Sequence, residues 1–315
     1  LVKKAFIFPG QGSQSVGMGK ELAENFAEAR YVFEEVDEAL KQKLSALIFD
    51  GPEAELTLTA NAQPALMAVS LAVLRVMEAQ GLVLADKIAY VAGHSLGEYS
   101  ALCAAGAFSV AETARLLRIR GDAMQAAVPV GRGAMAAIIG LDNAVITALC
   151  REVAFFGICQ IANDNGGGQT VISGAKRAVE EAVARAPDKG AKRAILLPVS
   201  APFHSALMEP AADIMQEALA KAAKKPPSIP LITNISVAPE TNIARISNLL
   251  VEQVTGQVRW REIMEWFVAH KVHDLYEIGS GRVLSGLARR IDKSLSATPV
   301  GTPEEIEQVL PALLA

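Results

Sequence analysis

"IAYVAGHSLGEYSALCAAG", residues 88–106, is the stretch that decides the fold. Its first five residues, Ile88–Ala92, are apolar and strand-like, and from Leu96 the pattern turns helical. The turn between them, Gly93 to Gly97, satisfies G-x-S-x-G in the strand–turn–helix setting that the pattern requires. The spacing has a steric cause. A serine on so sharp a turn brings the residues two before and two after it together, where Cβ atoms would collide, and Gly93 and Gly97 carry none. The helix beginning at Leu96 presents free N–H groups and a favourable dipole beside Ser95, which makes the Leu96 N–H a natural oxyanion donor. A serine capping a helix is the competing explanation. The agreement of pattern with context favours a nucleophile.

Around this turn, strands alternate with helices, the mark of an α/β fold with a parallel sheet. A strand covers Lys4 to Phe8, and helical patterns cover Gly19–Asn25, Ala27–Phe49, Ala65–Gln80 and Ala111–Ala127. From 133 the rhythm changes: strand 133–140, helix 142–154, strands 156–163 and 169–174, helix 175–186, strand 191–200. That β-α-β-β-α-β order is ferredoxin-like. The expected architecture is an α/β-hydrolase-like catalytic domain, residues 1–127 and 198–315, with a ferredoxin-like subdomain inserted at 128–197. Strands at 230–234 and 273–281 and a helix after Pro303 complete the large domain.

Composition narrows the function classes. With 51% hydrophobic and 20% charged residues, the 315-residue chain can bury a substantial core. A net charge of −4 argues against nucleic acid as the main partner. The longest apolar run, Ala65–Leu74, falls far short of the roughly 20 residues of a bilayer span. Pro9-Gly10 follows too soon for a signal-peptide core. Cys103, Cys150 and Cys159 form no CxxC pair, so reduced thiols and no metal site are expected. These features point to a cytoplasmic protein, and a monomer is expected.

Three further features carry chemistry. "FPGQGSQ", Phe8 to Gln14, follows the first strand but closes neither phosphate motif: Ser15 stands where the dinucleotide fingerprint needs its third glycine, and Gly19-Lys20 is followed by Glu21. Of four histidines, His94 adjoins the serine and should point away from it, while His270 and His273 flank a late strand. His204, in the proline-bracketed "PVSAPFHSALMEPA", lies past a strand end, where α/β folds place catalytic groups. A structural histidine and a catalytic base stay equally open there, and no acid can be assigned as a third member. Arg120 shares an apolar helical stripe with Leu116, Leu117, Ala123, Met124 and Ala127, whereas Arg115, Arg118 and Asp122 read as a solvated face. A guanidinium in that stripe needs an anionic partner. A structural carboxylate is the simpler choice, a substrate carboxylate the alternative.

"FPGQGSQ", "GHSLGEYSAL", Arg120-Gly121 and "PFHSALM", in this order, resemble the malonyl-CoA:acyl carrier protein transacylases of fatty-acid synthesis and the acyltransferase domains of polyketide synthases. The resemblance covers essentially the whole chain. It implies transfer from malonyl-CoA, through a malonyl-Ser95 ester, to the phosphopantetheine thiol of an acyl carrier protein, with no permanently bound cofactor. By the same resemblance His204 is the base and Arg120 grips the malonate carboxylate. Gln11 and Leu96 supply oxyanion N–H groups, and the Gln253 main-chain carbonyl orients the histidine. Asn165, Phe203 and Met124 line the pocket. Gly166–Gly168 departs from the less flexible turn of relatives. An acidic carrier implies a basic patch, for which Lys192, Arg193, Arg289 and Arg290 are candidates. A serine hydrolase or thioesterase is the rival reading, since G-x-S-x-G is widely shared.

Overall fold

Strands flanked by helices on both faces should be apolar on both sides, and the first strand is. The computed structural model describes residues 3–199 and 201–315. β1 (Lys3–Phe8) sends Phe6 and Phe8 into one core and Ala5 and Ile7 into another, so its period-two alternation divides two apolar layers. It lies centrally in a six-stranded sheet. β2 (Tyr90–Gly93) follows it in the chain; β7 (Leu231–Ile232), β8 (Pro239–Glu240), β9 (Val272–Ile278) and β10 (Ser296–Val300) come from the C-terminal part. The order is β10-β9-β1-β2-β7-β8, parallel except for the β7–β8 pair. β1 thus has a parallel neighbour on each side, so the chain reverses its direction of winding there, the kind of point beside which such sheets bind ligands.

β3 (Gly133–Ile139), β4 (Cys159–Gly166), β5 (Gln169–Ala175) and β6 (Arg193–Leu196) form a second, antiparallel sheet in the order β4-β5-β3-β6. Its helices, Asn143–Glu152 and Lys176–Arg185, bury Ile146, Leu149, Val179 and Ala182 in a core of their own. The β4–β5 turn places Gly166, Gly167 and Gly168 all at positive φ, a run that side chains would strain. Cβ atoms on Gly166 and Gly167 would also strike Ile291 and Arg290.

Several sequence expectations need correction. The helix expected over 27–49 breaks at Lys41 in the left-handed region, giving Ala27–Leu40 and Leu44–Asp50. The one expected from Ala65 begins at Thr59 and carries Pro64 inside it, because packing of this buried helix outweighs one lost hydrogen bond. That helix, Thr59–Ala79, is among the described residues the one long and apolar enough to cross a membrane, yet 83% of its apolar window is buried in the protein. The strand expected at 156–163 starts only at Cys159, after a short 3-10 turn. The strand expected at 191–200 spans Arg193–Leu196, and Ser200 lies outside the described residues. Helices Ile243–Thr255, Trp260–Ala269 and Val283–Ile291 and strand β10 were not anticipated. Pro299 disguised β10, but the strand is at the sheet edge, where a missing N–H is tolerated.

Candidate active site

The ends of β1, β2 and β7 converge on Ser95. A Cβ on Gly93 would fall 1.9 Å from the Gly97 carbonyl carbon, and one on Gly97 would fall 2.3 Å from the Phe8 oxygen. The turn therefore closes on itself and against the end of β1, as the glycine spacing foretold. Gly10 backs onto it equally closely, its Cβ position 2.6 Å from the His94 oxygen. Ser95 is held at φ 55 and His204 at φ 54, both left-handed. Such conformations cost about 1–3 kcal/mol each and persist only where the surroundings enforce them.

The enforcing contacts are polar. Asn234, just beyond β7, accepts the Ser95 N–H on Oδ1 at 2.9 Å and donates from Nδ2 to the Gly93 oxygen at 2.7 Å. Gln253 donates from Nε2 to the Ser95 oxygen at 3.0 Å and to Glu98 Oε2 at 2.8 Å. Glu98 also accepts the Asn234 N–H. Burial pushes the Glu98 carboxyl up to about 8, so it is largely protonated at neutral pH.

Ser95 Oγ lies 2.7 Å from His204 Nε2. On the far side of the ring, Nδ1 is 2.8 Å from the Gln253 oxygen and 3.1 Å from the Gly256 oxygen. Carbonyls only accept, so Nδ1 carries the proton and Nε2 is left free to accept one from Ser95. No carboxylate is needed for this orientation. Burial, reinforced by the Arg120 charge, pushes His204 down to about 3, which keeps the ring neutral at physiological pH.

Arg120 lies 1% exposed inside the apolar stripe. It donates to Gln63 Oε1 and Gln253 Oε1, each at 2.7 Å, and to Ser95 Oγ at 3.1 Å. Its Nε has no partner, and among the described residues it makes no salt bridge. The simpler expectation, a structural ion pair, is thereby overturned: Glu98 is near enough to feel the charge but is itself held neutral by burial.

The other candidates are placed as follows. The Gln11 side chain accepts from Thr59 Oγ1 at 2.9 Å; Thr59 accepts from Gln63 Nε2, also at 2.9 Å, so a relay runs from the β1 turn to Arg120. Asn165 reaches the serine turn, but its Oδ1 meets His94 Nε2 at 2.8 Å, so it holds the neighbouring ring. Phe203 and Met124 are buried in the core cluster. Arg118 does not lie on a solvated face: it is half-buried and donates to Asn61 at 2.9 Å and to Gln42. Sequence reasoning missed Gln63, Glu98 and Asn234. Each left a signal: a polar residue near the start of an apolar helix, an acid directly after the serine motif, and an asparagine at a strand end.

A cavity of about 610 Å³ reaches His204, with Cys150, Cys159, Gln160, Ala206 and Gly256 among its lining residues. Residues 5–273 match the family model described as an acyl transferase domain, and the chain is an acyltransferase. It is 47% identical to the malonyl CoA-acyl carrier protein transacylase of Bacillus subtilis (strain 168), over 99% of this chain and 98% of the relative. The crystal structure of an acyl-carrier-protein-S-malonyltransferase from Bartonella henselae matches with a TM-score of 0.98 and 65% identity, covering 99% of this chain and all of that one. A malonyl-transacylase in complex with a type II PKS acyl-carrier protein matches at 0.95 and 44% identity, over 98% of this chain and 99% of that one. The chain belongs to the malonyl CoA-acyl carrier protein transacylase family.

Proposed function

We propose that the protein moves a malonyl group from malonyl-CoA to the phosphopantetheine thiol of an acyl carrier protein, for fatty-acid chain elongation, by way of a Ser95 ester. The observation that carries this is the buried Arg120, which meets neutral amide oxygens and no salt-bridge partner among the described residues and also donates to Ser95 Oγ. A bidentate fork suits a carboxylate, and malonyl presents one beyond its thioester carbon. A serine hydrolase acting on neutral esters has no use for that cation.

The reaction takes two matched halves. His204 Nε2 accepts the Ser95 proton as Oγ attacks the thioester carbon. The oxygen that becomes negative is met by the backbone N–H groups of Gln11 and Leu96; a donor of this kind is worth about 3–4 kcal/mol in the transition state. Collapse expels the coenzyme A thiol, which takes the proton back from His204. The carrier thiol then gives its proton to Nε2 and attacks the ester; collapse breaks the acyl–Oγ bond, and Ser95 leaves with that proton from His204. Throughout, the Gln253 and Gly256 carbonyls favour the imidazolium that forms and hold its orientation.

The strand order β4-β5-β3-β6, with both helices in one apolar layer, supports a ferredoxin-like subdomain at 128–197 inserted in a hydrolase-like domain. Lys192 and Arg290 both flank the 166–168 turn, which supports that edge as part of the docking face for an acidic carrier. Service to a polyketide carrier is the second reading, motivated by the similarity to a malonyl-transacylase solved with a type II PKS acyl-carrier protein. Incubation with malonyl-CoA should leave one malonyl group on Ser95 in the intact mass. Absence of the adduct in folded protein would sink the ester mechanism.

A further inference from the structure

The cavity that ends at His204 has a second pair of reactive groups in its wall, and no step of acyl transfer uses them. Cys150, near the end of helix Asn143–Glu152, and Cys159, the first residue of β4, bring their sulfurs within 3.5 Å. Both line that cavity; Cys150 is buried and Cys159 half-buried, and both are free thiols. A disulfide needs about 2.05 Å between sulfurs, so closure asks for roughly 1.5 Å of approach between the helix end and β4. The Cys159 S–H donates to the Cys150 sulfur, which draws the Cys150 thiol below its ordinary range and makes it the readier thiolate.

β4 is tied to the catalytic histidine. Gln160, next to Cys159, accepts the Ala206 N–H on Oε1 at 2.7 Å, two residues beyond His204. At its other end β4 carries Asn165, bonded to the His94 ring beside Ser95. A pull on the start of β4 is therefore felt in the loop that aims the base.

We propose that Cys150 and Cys159 are a redox-sensitive dithiol that closes to an intramolecular disulfide under a hydroperoxide and slows acyl transfer by shifting the His204 loop through Gln160 and Ala206. The Cys150 thiolate attacks the peroxide oxygen; the O–O bond breaks, giving a sulfenic acid and hydroxide. The Cys159 thiol attacks that sulfur, the S–O bond breaks, and the hydroxyl leaves as water with the Cys159 proton. The two thiols lose two electrons, and the peroxide takes them up. The effect on rate rests on the acyl-transfer reading above, whereas disulfide formation does not.

The test treats purified protein with hydrogen peroxide, quenches it, and follows free thiols, intact mass and malonyl transfer together. Two of the three thiols should disappear with a mass loss of two hydrogens and no dimer. Malonyl transfer should fall about tenfold or more, since misplacement near 1 Å can cost about 100-fold, and dithiothreitol should restore it. Cys150→Ser and Cys159→Ser should transfer normally and keep their activity through the same treatment. Oxygen adducts on a single cysteine with no bridge would overturn the proposal, as would equal inactivation of the serine variants. A bridge that leaves the rate unchanged would overturn the link to His204. If reduced protein transfers no malonyl group, the acyl-transfer reading fails, while thiol count and mass still decide the pair.

Discussion

Replacing Arg120 by alanine should change which donor the enzyme prefers. The guanidinium is buried among neutral acceptors, with Nε unpartnered. Two charge-assisted hydrogen bonds to a malonyl carboxylate are worth about 1.5–3 kcal/mol each, together about 3–6 kcal/mol. At about 1.4 kcal/mol per tenfold, kcat/KM for malonyl-CoA should drop by roughly 100-fold to 10,000-fold. Acetyl-CoA has no carboxylate to lose. Alanine also strands Gln63 Oε1 and Gln253 Oε1, at about 1–3 kcal/mol each, but that cost falls on both donors alike. The clean readout is therefore the malonyl-to-acetyl ratio of kcat/KM, which should fall at least about 100-fold by the same estimate. Thiol release from each donor in the presence of carrier protein measures it. Equal losses for the two donors would refute the carboxylate role and leave Arg120 as a support for Gln63 and Gln253.

The remaining expectations concern the base, the turn and the relay. Because His204 is pushed down to about 3, kcat/KM should show no inflection near the ordinary histidine value, and its ring signals should not titrate between about pH 5 and 8 by NMR. The sign for stability follows: unfolded chains bind the His204 proton first, so its contribution is full above about 6.5 and is lost as pH falls toward 3, which acid unfolding curves would show. Gly97→Ala places a Cβ 2.3 Å from the Phe8 oxygen and should lower the unfolding free energy from urea titration by about 1–3 kcal/mol while abolishing most transfer; an active, fully stable variant would refute the close-packed turn. Gln11→Ala keeps the backbone N–H but strands the Thr59 hydroxyl, so it should raise KM for malonyl-CoA severalfold, the relay to Arg120 being cut by about 1 kcal/mol. Gly10→Ala, which crowds the His94 carbonyl, should hurt kcat more; the reverse order in steady-state kinetics would assign Gln11's side chain a larger role than its backbone.

Much of the site was legible because steric rules act over short spans. Gly93, Ser95 and Gly97 announce a strand-to-helix turn within five residues, and the alternation of β1 and the β-α-β-β-α-β rhythm of 133–196 are equally local. The late helices and β10 were less legible, since Pro299 is acceptable only at an edge that sequence does not reveal. Spacing alone also left His204 and Arg120 undecided, and only the family resemblance gave them roles. The tertiary structure decided what spacing could not. Ser95 follows β2, Arg120 lies in helix Val110–Ala126, His204 in a loop and Gln253 in helix Ile243–Thr255, so the four meet only through tertiary packing of separate elements. That packing supplied two carbonyls where an acid was sought for His204, and among the described residues it set neutral amide oxygens, not a carboxylate, against Arg120. The sequence by itself determined which atoms could react; desolvation and contact in the folded chain determined their charge states and their partners.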